Sequence, residues 1–510
     1  MKVYLAGYNL DADLIGKLKN EHKDLQDKFT PETISAAYAR ISRDPRPVND
    51  LRAIAASEVD KARKSNNTII FEMGHSSVAE HSVFNFDVVG LSRLAIEELE
   101  HFRLGSYTEK SQRYITLTDD FVIPEEIKDG QDVEKFKAII AVQNKFYHEL
   151  FEELKKYVFA INKDLAEDPK NHRTLEGWAK EDARYICALA TQGQLGMTVN
   201  ARTLELMLRR LNASDLAEVK NLALELYNQV KDIAPSVVRY TKATDYDTNK
   251  YKNISKNIPV ILNLFQDLYS EFGEKMLKQV QHDKNDKNNK NQDEAEVKLL
   301  NYPTDGDDFI VATILHTASQ ISFQQILDAV KKMDFETKKN IVKESLKDIK
   351  LYDPVLREFE YLDFVFELNI SSACFGQMKR HRMSTITTQN YSTDLGVTIP
   401  QAIINIGYDE EFLKVVEQTN EVFGYFRQKY GQKVAEYVLT NSHRRNMLMK
   451  INARELYHLS RMREDKHAQW DIRIISSKMV ELAKKVAPIT TFLIGGKDRF
   501  AEIYDGEYDR

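Results

Sequence analysis

The sequence predicts an α+β protein made of two copies of one helix-rich domain, each with a small antiparallel sheet. Three observations lead to this prediction. Residues 133–163 and 175–234 carry apolar residues at helical spacing with few breakers, whereas 104–114 has the character of a loop rich in hydroxyls. Residues 84–88 alternate apolar and polar side chains, which is the period of a half-buried strand. Blocks from the first half of the chain also return in the second half, which predicts a repeated unit of mixed helix and sheet.

Three matched blocks carry the repeat. FVFELNISS at 364–372 matches FNFDVVGLS at 84–92, with a serine eight residues after the first phenylalanine in both. MKRHRMSTITTQNYS at 378–392 matches LEHFRLGSYTEKSQRY at 99–114, and INARELYHLSRMR at 451–463 matches VNARTLELMLRRL at 199–211. Because the three matches occur in the same order, we interpret them as two copies of one domain.

The predicted boundaries follow from a change in composition. The stretch KQVQHDKNDKNNKNQDEAEVK is rich in lysine, asparagine and aspartate, so it cannot bury a core. We therefore predict a first copy over residues 1–248, an insert with a charged flexible linker over 249–299, and a second copy over 300–510.

Length, charge and cysteine content narrow the class of protein. A chain of 510 residues is too long for one ordinary domain. The net charge of −6 argues against a protein that coats nucleic acid. Cys187 and Cys374 are too few for a disulfide framework, so we expect a reducing cytoplasm. No stretch reaches the roughly 18 apolar residues of a membrane span, so neither nucleic acid nor membrane is an expected partner.

The segment 379–392 is the strongest candidate for ligand binding. Arg380, His381 and Arg382 follow the apolar run 370–378, which has the character of a buried helix. An arginine can bind phosphate through its planar fork and a flat ring through its stacking face. The alternative is a solvated basic helix end. The chain has no GxGxxG after a strand and no complete P-loop, so a nucleotide must be held in another way.

Several blocks together resemble the flavin-dependent thymidylate synthases: GHSSVAEHSVFNF, GSYTEKSQRY, RHRMS, ARY, NAR and RMREDKHAQWDIR. The HAQW block with an upstream NAR is the specific part of this resemblance, which covers most of both halves outside about 249–300. The resemblance implies reductive methylation of dUMP to dTMP, with FAD as cofactor and NADPH and methylenetetrahydrofolate as co-substrates. It also implies active sites between subunits of a homotetramer, and we expect a dimer of this chain to mimic that tetramer.

Neither copy carries the whole motif set. At four successive positions the family has any residue followed by Arg-His-Arg. The first copy has Glu100-His101-Phe102-Arg103 there. The second copy has Asn390 and Ser392 where the family has Ser-x-Arg, and Glu436 stands where the first copy has Arg184. Because the losses do not overlap, we predict composite sites built from both copies.

Arg463 is the predicted catalytic residue. Its family counterpart lies against the uracil edge, where a cation favours the N3-deprotonated ring and makes C5 a better nucleophile. The alternative is a surface ion pair with Glu464 or Asp465. The resemblance assigns dUMP binding to Gln377, Arg380, Glu109, Ser111, Gln112, Arg113, Arg184 and Arg463.

The flavin site is also assigned by the resemblance. His458 departs from the amide that is common in the family. No metal is expected, because His75, His81 and His101 lack a cysteine or a close carboxylate to complete a ligand set. The resemblance assigns FAD binding to His75, Ser77, Glu80, Glu109, Arg380, His381, Arg382, Asn452, Arg454, His458 and His467.

Two other functions stay open at this point. The lost motif residues are compatible with an inactive flavin- or nucleotide-binding relic that has a regulatory or structural role. Thr387 and Thr388 replace the more usual asparagine and glutamate in the second copy. This leaves room for a related flavin enzyme that acts on another pyrimidine nucleotide.

Overall fold

The computed structural model describes residues 1–9, 30–41, 44–117, 119–255 and 297–508. We call residues up to 255 the first half and residues from 297 the second half. Most of the predicted insert and linker, 256–296, lies outside the described residues. The fold class is confirmed, because helices surround two separate four-stranded antiparallel sheets.

The first half begins with strand β1. Its elements are, in chain order, β1 (Lys2–Tyr8), α1 (Glu32–Arg40), α2 (Val48–Ser57), α3 (Val59–Asn66), β2 (Val83–Ser92), α4 (Arg93–Glu100), β3 (Ser106–Glu109), α5 (Gly130–Ile161), α6 (Lys163–Ala166), α7 (His172–Ala183), β4 (Gln192–Asn200), α8 (Ala201–Leu211), α9 (Ala217–Val230) and α10 (Asp245–Ser255).

The second half repeats the pattern of strands. Its elements are β5 (Val297–Asn301), α11 (Gly306–Thr317), α12 (Phe323–Val330), α13 (Phe335–Ser345), β6 (Asp363–Ser371), α14 (Ser372–Met378), β7 (Thr385–Thr388), α15 (Gln401–Asn405), α16 (Asp409–Tyr430), α17 (Gln432–Ala435), β8 (Arg444–Asn452), α18 (Ala453–Arg463), α19 (Trp470–Val486) and α20 (Phe500–Tyr508).

The two sheets have the same topology. The strand order is β1-β2-β4-β3 in the first and β5-β6-β8-β7 in the second, and every neighbouring pair is antiparallel. The alternation seen in the sequence determines which face is buried, since Phe84, Phe86, Phe364 and Phe366 all point into the core. Among the described residues, no helix is long and apolar enough to cross a membrane.

Strand β2 contains one residue more than β6. Its pairing with β4 shifts between Val89 and Leu91, where Gly90 adopts a φ of +74°. This extra residue is a β-bulge, and the positive φ suits a glycine. The serine that caps the following helix is Ser92 in the first half and Ser371 in the second. The equivalent of Ser92 is therefore Ser371, and the ungapped match to position 372 is wrong by one residue.

Three element predictions need correction. The pattern over 175–234 is not helical throughout, because β4 lies inside it and is the third strand of its sheet. The segment QGQLGMTVN has two glycines and little alternation, so its strand character comes from neighbours on both sides. The predicted loop 104–114 contains β3, and β5 begins at Val297, inside the predicted linker.

The two halves meet in a short antiparallel crossing of residues 185–190 and 437–442. Ala188 and Thr440 form the central pair of this crossing. The backbone bonds come in equivalent pairs, so exchanging the halves reproduces them, as expected for a pseudo-two-fold axis. The four bonds run from Leu189 N to Leu439 O (2.7 Å), Asn441 N to Cys187 O, Ala190 N to Tyr437 O and Ser442 N to Tyr185 O (2.9 Å each).

A buried acid reinforces the crossing on each side of the axis. Glu218 accepts hydrogen bonds from Ser92 Oγ of its own half and from Tyr437 Oη of the other half, both at 2.6 Å. Burial raises the pKa of Glu218, while these donors oppose that rise. The equivalent acid is Asp471, which accepts from Ser371 Oγ at 2.6 Å and from Tyr185 Oη at 2.8 Å.

We expect Tyr437→Phe to lower the free energy of unfolding by about 1–3 kcal/mol, since Glu218 would lose a donor in a buried position. Denaturant unfolding of the full chain measures this loss. Tyr361→Phe is the matched control, because Tyr361 is 63% exposed. Equal effects of the two substitutions would show that the contact across the halves contributes nothing specific.

Candidate active site between the two halves

The RHR segment lies against the first half. Helix α14 ends at Met378, and the turn that follows presents Arg380, His381 and Arg382. Arg380 Nη2 lies 3.0 Å from Glu109 Oε2, and Arg382 donates to the carbonyl of Gly105. The second-half arginines thus contact the start and end of the β3 region in the first half.

Glu109 is held in its ionised form by several cations. Its side chain is 8% exposed and lies 3.3 Å from Arg93 and 3.0 Å from Arg380. Burial acts to raise the pKa of Glu109, but Arg93, Lys379 and Arg380 outweigh it, so the pKa is lowered. Glu109 therefore links the two halves as a carboxylate.

Arg463, at the end of α18, is oriented by two fixed acceptors. Its Nε lies 3.0 Å from His381 Nε2, and its Nη2 donates to Gln377 O at 3.3 Å. Because a guanidinium can only donate, His381 Nε2 must accept, and the proton sits on Nδ1, 3.1 Å from Glu455 Oε1. Burial lowers the pKa of His381, although Glu455 opposes this, so the neutral imidazole is the form that fits.

Arg184 is a buried cation with an unused donor. It begins the turn after α7 and is only 8% exposed. Its Nε donates to the carbonyl of Glu181 at 3.3 Å, while Nη2 has no hydrogen-bond partner among the described residues. Burial lowers the pKa of Arg184. A buried guanidinium nitrogen without a partner is costly, so this position is suited to an incoming anion.

Arg113 joins the same region from the β3 side. Its Nε donates to the carboxylate of Glu181, and its Nη2 lies 3.4 Å from the carbonyl of His467 in the second half. Ser111 Oγ accepts from the Arg113 N–H at 3.2 Å, which fixes the turn. Arg113 therefore lies between the acid that orients it and the HAQW segment.

The positive charges of the two halves influence one another. Burial lowers the pKa of Arg463 to about 10, and the charges of Arg380 and Arg113 add to this effect. Cations that depress one another's pKa are close enough for one anion to stabilise them together. This set of arginines is drawn from both halves, as the complementary motif losses predict.

Amide side chains complete the boundary. Asn441 Nδ2 donates to Gln112 Oε1 at 3.2 Å and to the carbonyl of Arg184 at 2.9 Å. Gln377 Nε2 donates to Gln469 Oε1 at 2.9 Å, and Gln469 donates to Tyr185 Oη at 2.5 Å. The structure thus brings all eight residues expected to bind dUMP to one boundary between the halves.

A cavity of about 450 Å³ opens beside this boundary, within the second half. Asn452, Arg454 and His458 line it, together with Arg461 and Lys497. Glu360, which pairs with Arg454, and Glu455 line the cavity too. The arginine, lysine and amide side chains could hold an anionic nucleotide cofactor. Three of the predicted flavin residues therefore share one cavity, next to the RHR turn.

His75, Ser77 and Glu80 are not placed at this cavity. Glu80 Oε1 lies 2.5 Å from Arg202 Nη1 within the first half. The equivalent turn of the second half is Arg357–Tyr361, where Glu360 pairs with Arg454 at 2.7 Å. Each turn is thus anchored to the helix that follows the last strand of its own half, and none of these three residues lines the cavity. Their assignment to FAD stays a prediction. The constant spacing from the Phe-x-Phe strands could have revealed the equivalence.

Sequence reasoning also missed Glu455. It lies three residues before His458 on α18, and the possible ligand atoms of His381, Glu455 and His458 lie within 4.8 Å of one another. The i, i+3 spacing was the available signal. Since His381 uses its Nδ1–H to reach Glu455, this nitrogen has no lone pair to offer a metal ion, and the cluster instead orients Arg463.

The pseudo-symmetric position on the other side of the axis is filled by side chains. Tyr391 Oη donates to Glu97 at 3.0 Å, and Arg445 Nη1 lies 3.1 Å from the same carboxylate. The Arg445 guanidinium lies 4.3 Å from the Tyr391 ring centre and 4.8 Å from that of Phe375. All four side chains are buried and satisfy one another. On the candidate-site side, smaller residues occupy the equivalent positions. Gln112 is the equivalent of Tyr391, Gly193 of Arg445, and Gly376 of Glu97.

Trp470 of the HAQW block binds the first half. Its Nε1 donates to Asp182 Oδ1 at 2.7 Å, and its ring stacks on Tyr185 with centroids 5.6 Å apart. Burial and the charge of Glu181 raise the pKa of Asp182 to about 7. Since the folded-state pKa lies above that of the unfolded chain, Asp182 stabilises the fold when protonated, and this contribution is lost as the pH rises towards 7.

We expect Asp182→Asn to be more stable than the wild type at pH 8, with a difference that shrinks towards pH 5. Asparagine keeps the acceptor for Trp470 but cannot ionise. Thermal unfolding of both chains between pH 5 and pH 8 tests this, with exposed Asp328→Asn as the control. A pH-independent difference would contradict the assignment.

Comparison with known proteins places the chain in a family. The family model described as "Thymidylate synthase complementing protein" matches residues 24–236 and 298–489, one segment in each half. A flavin-dependent thymidylate synthase from Clostridium tetani is 32% identical over 214 residues, which is 41% of this chain and 82% of that protein.

A relative of nearly equal length is also found. The UPF0159 protein Ta1429 of Thermoplasma acidophilum is 21% identical over 496 residues, covering 89% of this chain and 93% of that protein. The crystal structure of the flavin-dependent thymidylate synthase ThyX from Helicobacter pylori, complexed with FAD and dUMP, aligns with 48% of this chain and all of that chain, at 19% identity and a TM-score of 0.29. From the two-segment match and the Clostridium relative, the chain belongs to the family of thymidylate synthase complementing proteins and flavin-dependent thymidylate synthases.

Proposed function

We propose that the chain is a flavin-dependent thymidylate synthase that converts dUMP to dTMP at a composite site between its halves. The observation that carries the proposal is the buried Arg184, whose Nη2 has no partner among the described residues. Arg113 lies beside it, and Arg380 and Arg463 reach the same boundary from the second half. A phosphate dianion would satisfy this surplus of donors.

The phosphate would be held by the first half. Arg113 and Arg184 supply charged donors, and Ser111 lies in the same turn. A hydrogen bond to a charged group contributes about 1.5–3 kcal/mol. Glu181 orients Arg113 through Nε, so the hydrogens on the other guanidinium nitrogens can reach a ligand.

The pyrimidine would lie against Arg463. His381 and Gln377 O fix its Nε and Nη2, and no hydrogen bond of Nη1 is found among the described residues. With a pKa near 10, the guanidinium stays cationic at neutral pH. A fixed cation at the uracil edge would favour the N3-deprotonated ring, in which C5 is more nucleophilic.

The cavity of the second half suits FAD. Asn452, Arg454 and His458 would hold its ribityl and phosphate groups, and Arg461 and Lys497 add positive charge. When bound, the flavin would pass hydride from NADPH to the one-carbon unit that methylenetetrahydrofolate donates. Arg380 and Arg382 would position the cofactor next to the pyrimidine by holding the RHR turn against the first half.

We also infer one working site per chain, since Tyr391, Arg445 and Glu97 fill the pseudo-symmetric position. A dimer of the chain would bring four halves together in place of a homotetramer, and native mass measures this. Two buried, unpaired cysteines are in keeping with a reducing cytoplasm.

The decisive experiment follows the visible flavin spectrum. The purified protein is reduced anaerobically and mixed with dUMP and methylenetetrahydrofolate. We expect flavin absorbance to return only with both substrates, together with dTMP. Bound flavin without substrate-dependent reoxidation would favour an inactive relic or another pyrimidine nucleotide. Protein that takes up neither flavin nor dUMP would refute the proposal.

We expect Arg184→Ala to weaken dUMP binding by about ten- to a hundredfold, because it removes charged donors to the phosphate. Isothermal titration measures the affinity. Arg173→Ala, at an exposed position on the preceding helix α7, is the matched control. Glu436→Gln, at the equivalent position of the second half, should leave dUMP affinity unchanged, and an equal loss there would contradict a single site.

A further inference from the structure

The ion pairs between the halves share one direction of charge. Outside the candidate site, Lys379 lies 2.8 Å from Glu100, Arg445 lies 3.1 Å from Glu97, and Lys429 lies 2.5 Å from Asp132. In each pair the base belongs to the second half and the acid to the first. Arg380 and Glu109 at the candidate site follow the same rule. The direction of charge therefore distinguishes one half from the other.

Lys379 and Glu100 occupy equivalent positions. Each lies eight positions after the serine that caps its helix, Ser371 in the second half and Ser92 in the first. Equivalent residues that touch one another must lie at the pseudo-two-fold axis. Both side chains are only 4% exposed, so their charges are weakly screened.

This geometry determines what a pairing of like halves would bring together. Two second halves would place Lys379 against a second lysine at the axis, and two first halves would place Glu100 against a second glutamate. Like charges in a buried contact are strongly unfavourable, because each lacks the partner that offsets its loss of water. The charges at the axis therefore disfavour both the pairing of two first halves and the pairing of two second halves.

The pair of Arg445 and Glu97 gives a second argument. By strand register and cap spacing, Gly193 is the equivalent of Arg445 and Gly376 is the equivalent of Glu97. In a pairing of two second halves, Arg445 would face Gly376. In a pairing of two first halves, Glu97 would face Gly193. Either arrangement leaves a buried charge without its partner across the interface.

We propose that the surface between the halves is selective by charge: it accepts the unlike half and excludes a second copy of the same half. The partner of each half is therefore the other half, whether in the same chain or in a neighbouring one. The selectivity follows from repulsion in the wrong pairing as well as attraction in the right one.

Reversing the charges of Lys379 and Glu100 tests whether their attraction stabilises the pairing of the halves. In the full chain, Glu100→Lys and Lys379→Glu should each lower the thermal midpoint by about 3–5 °C, because each leaves two like charges buried. The double variant restores unlike charges and should recover most of the loss. A double variant that falls by the sum of the single losses would overturn the proposal.

The matched control is the exposed pair of Lys485 and Glu481, 2.6 Å apart on one helix. Its single and double reversals should leave the midpoint nearly unchanged. If a reversed single variant does not accumulate, Glu100→Gln and Lys379→Gln provide the same cycle with smaller steps. Absence of coupling in that second cycle would equally overturn the proposal.

Cross-linking tests the choice of partner. Ala188 and Thr440 are equivalent, paired positions at the axis, and the flanking bonds mark them as a non-hydrogen-bonded pair, whose close spacing permits a disulfide. Ala188→Cys with Thr440→Cys should link the two halves, whereas either cysteine alone should give no covalent dimer at its own position. Covalent dimers through Thr440→Cys alone, with Lys379 in place, would refute the exclusion of like halves.

Discussion

The antiparallel crossing of residues 185–190 with 437–442 joins the two halves through four backbone hydrogen bonds. Buried backbone donors must find acceptors, and here each half supplies the acceptors for the other. The crossing also brings Tyr185 and Tyr437 to the acids Asp471 and Glu218 of the opposite half. Helix α14 and the turn at Arg184 are thereby held at one boundary, so arginines of both halves come together there.

Divergence around this crossing explains why the two sides of the axis differ. On one side, Arg184 keeps a buried donor without a partner, which has a stability cost that a bound anion would offset. On the other side, Tyr391, Arg445 and Glu97 satisfy one another. The buried polar groups on that side are therefore satisfied by neighbouring side chains of the protein.

The fold class and the repeated strand order could be predicted from the sequence, because they rest on periodicity and on matched blocks. The composite site stays a prediction, which rests on complementary motif losses. The bulge at Gly90 could not be predicted, since an inserted residue looks like continuous strand in an ungapped match. Strand β4 was missed because its pairing, rather than its own pattern, makes it a strand. The contact of Glu360 with Arg454 was also missed, since only the packing of the second half shows it.

The contact of Lys379 with Glu100 has a consequence for how such a chain can evolve. In a symmetric oligomer of identical subunits, one substitution at the axis appears on both sides at once, so that position always faces itself. Joining two copies in one gene removes this constraint, because each side then mutates separately. A lysine in one copy could therefore come to contact a glutamate in the other. After that change, one copy could no longer replace the other at this contact.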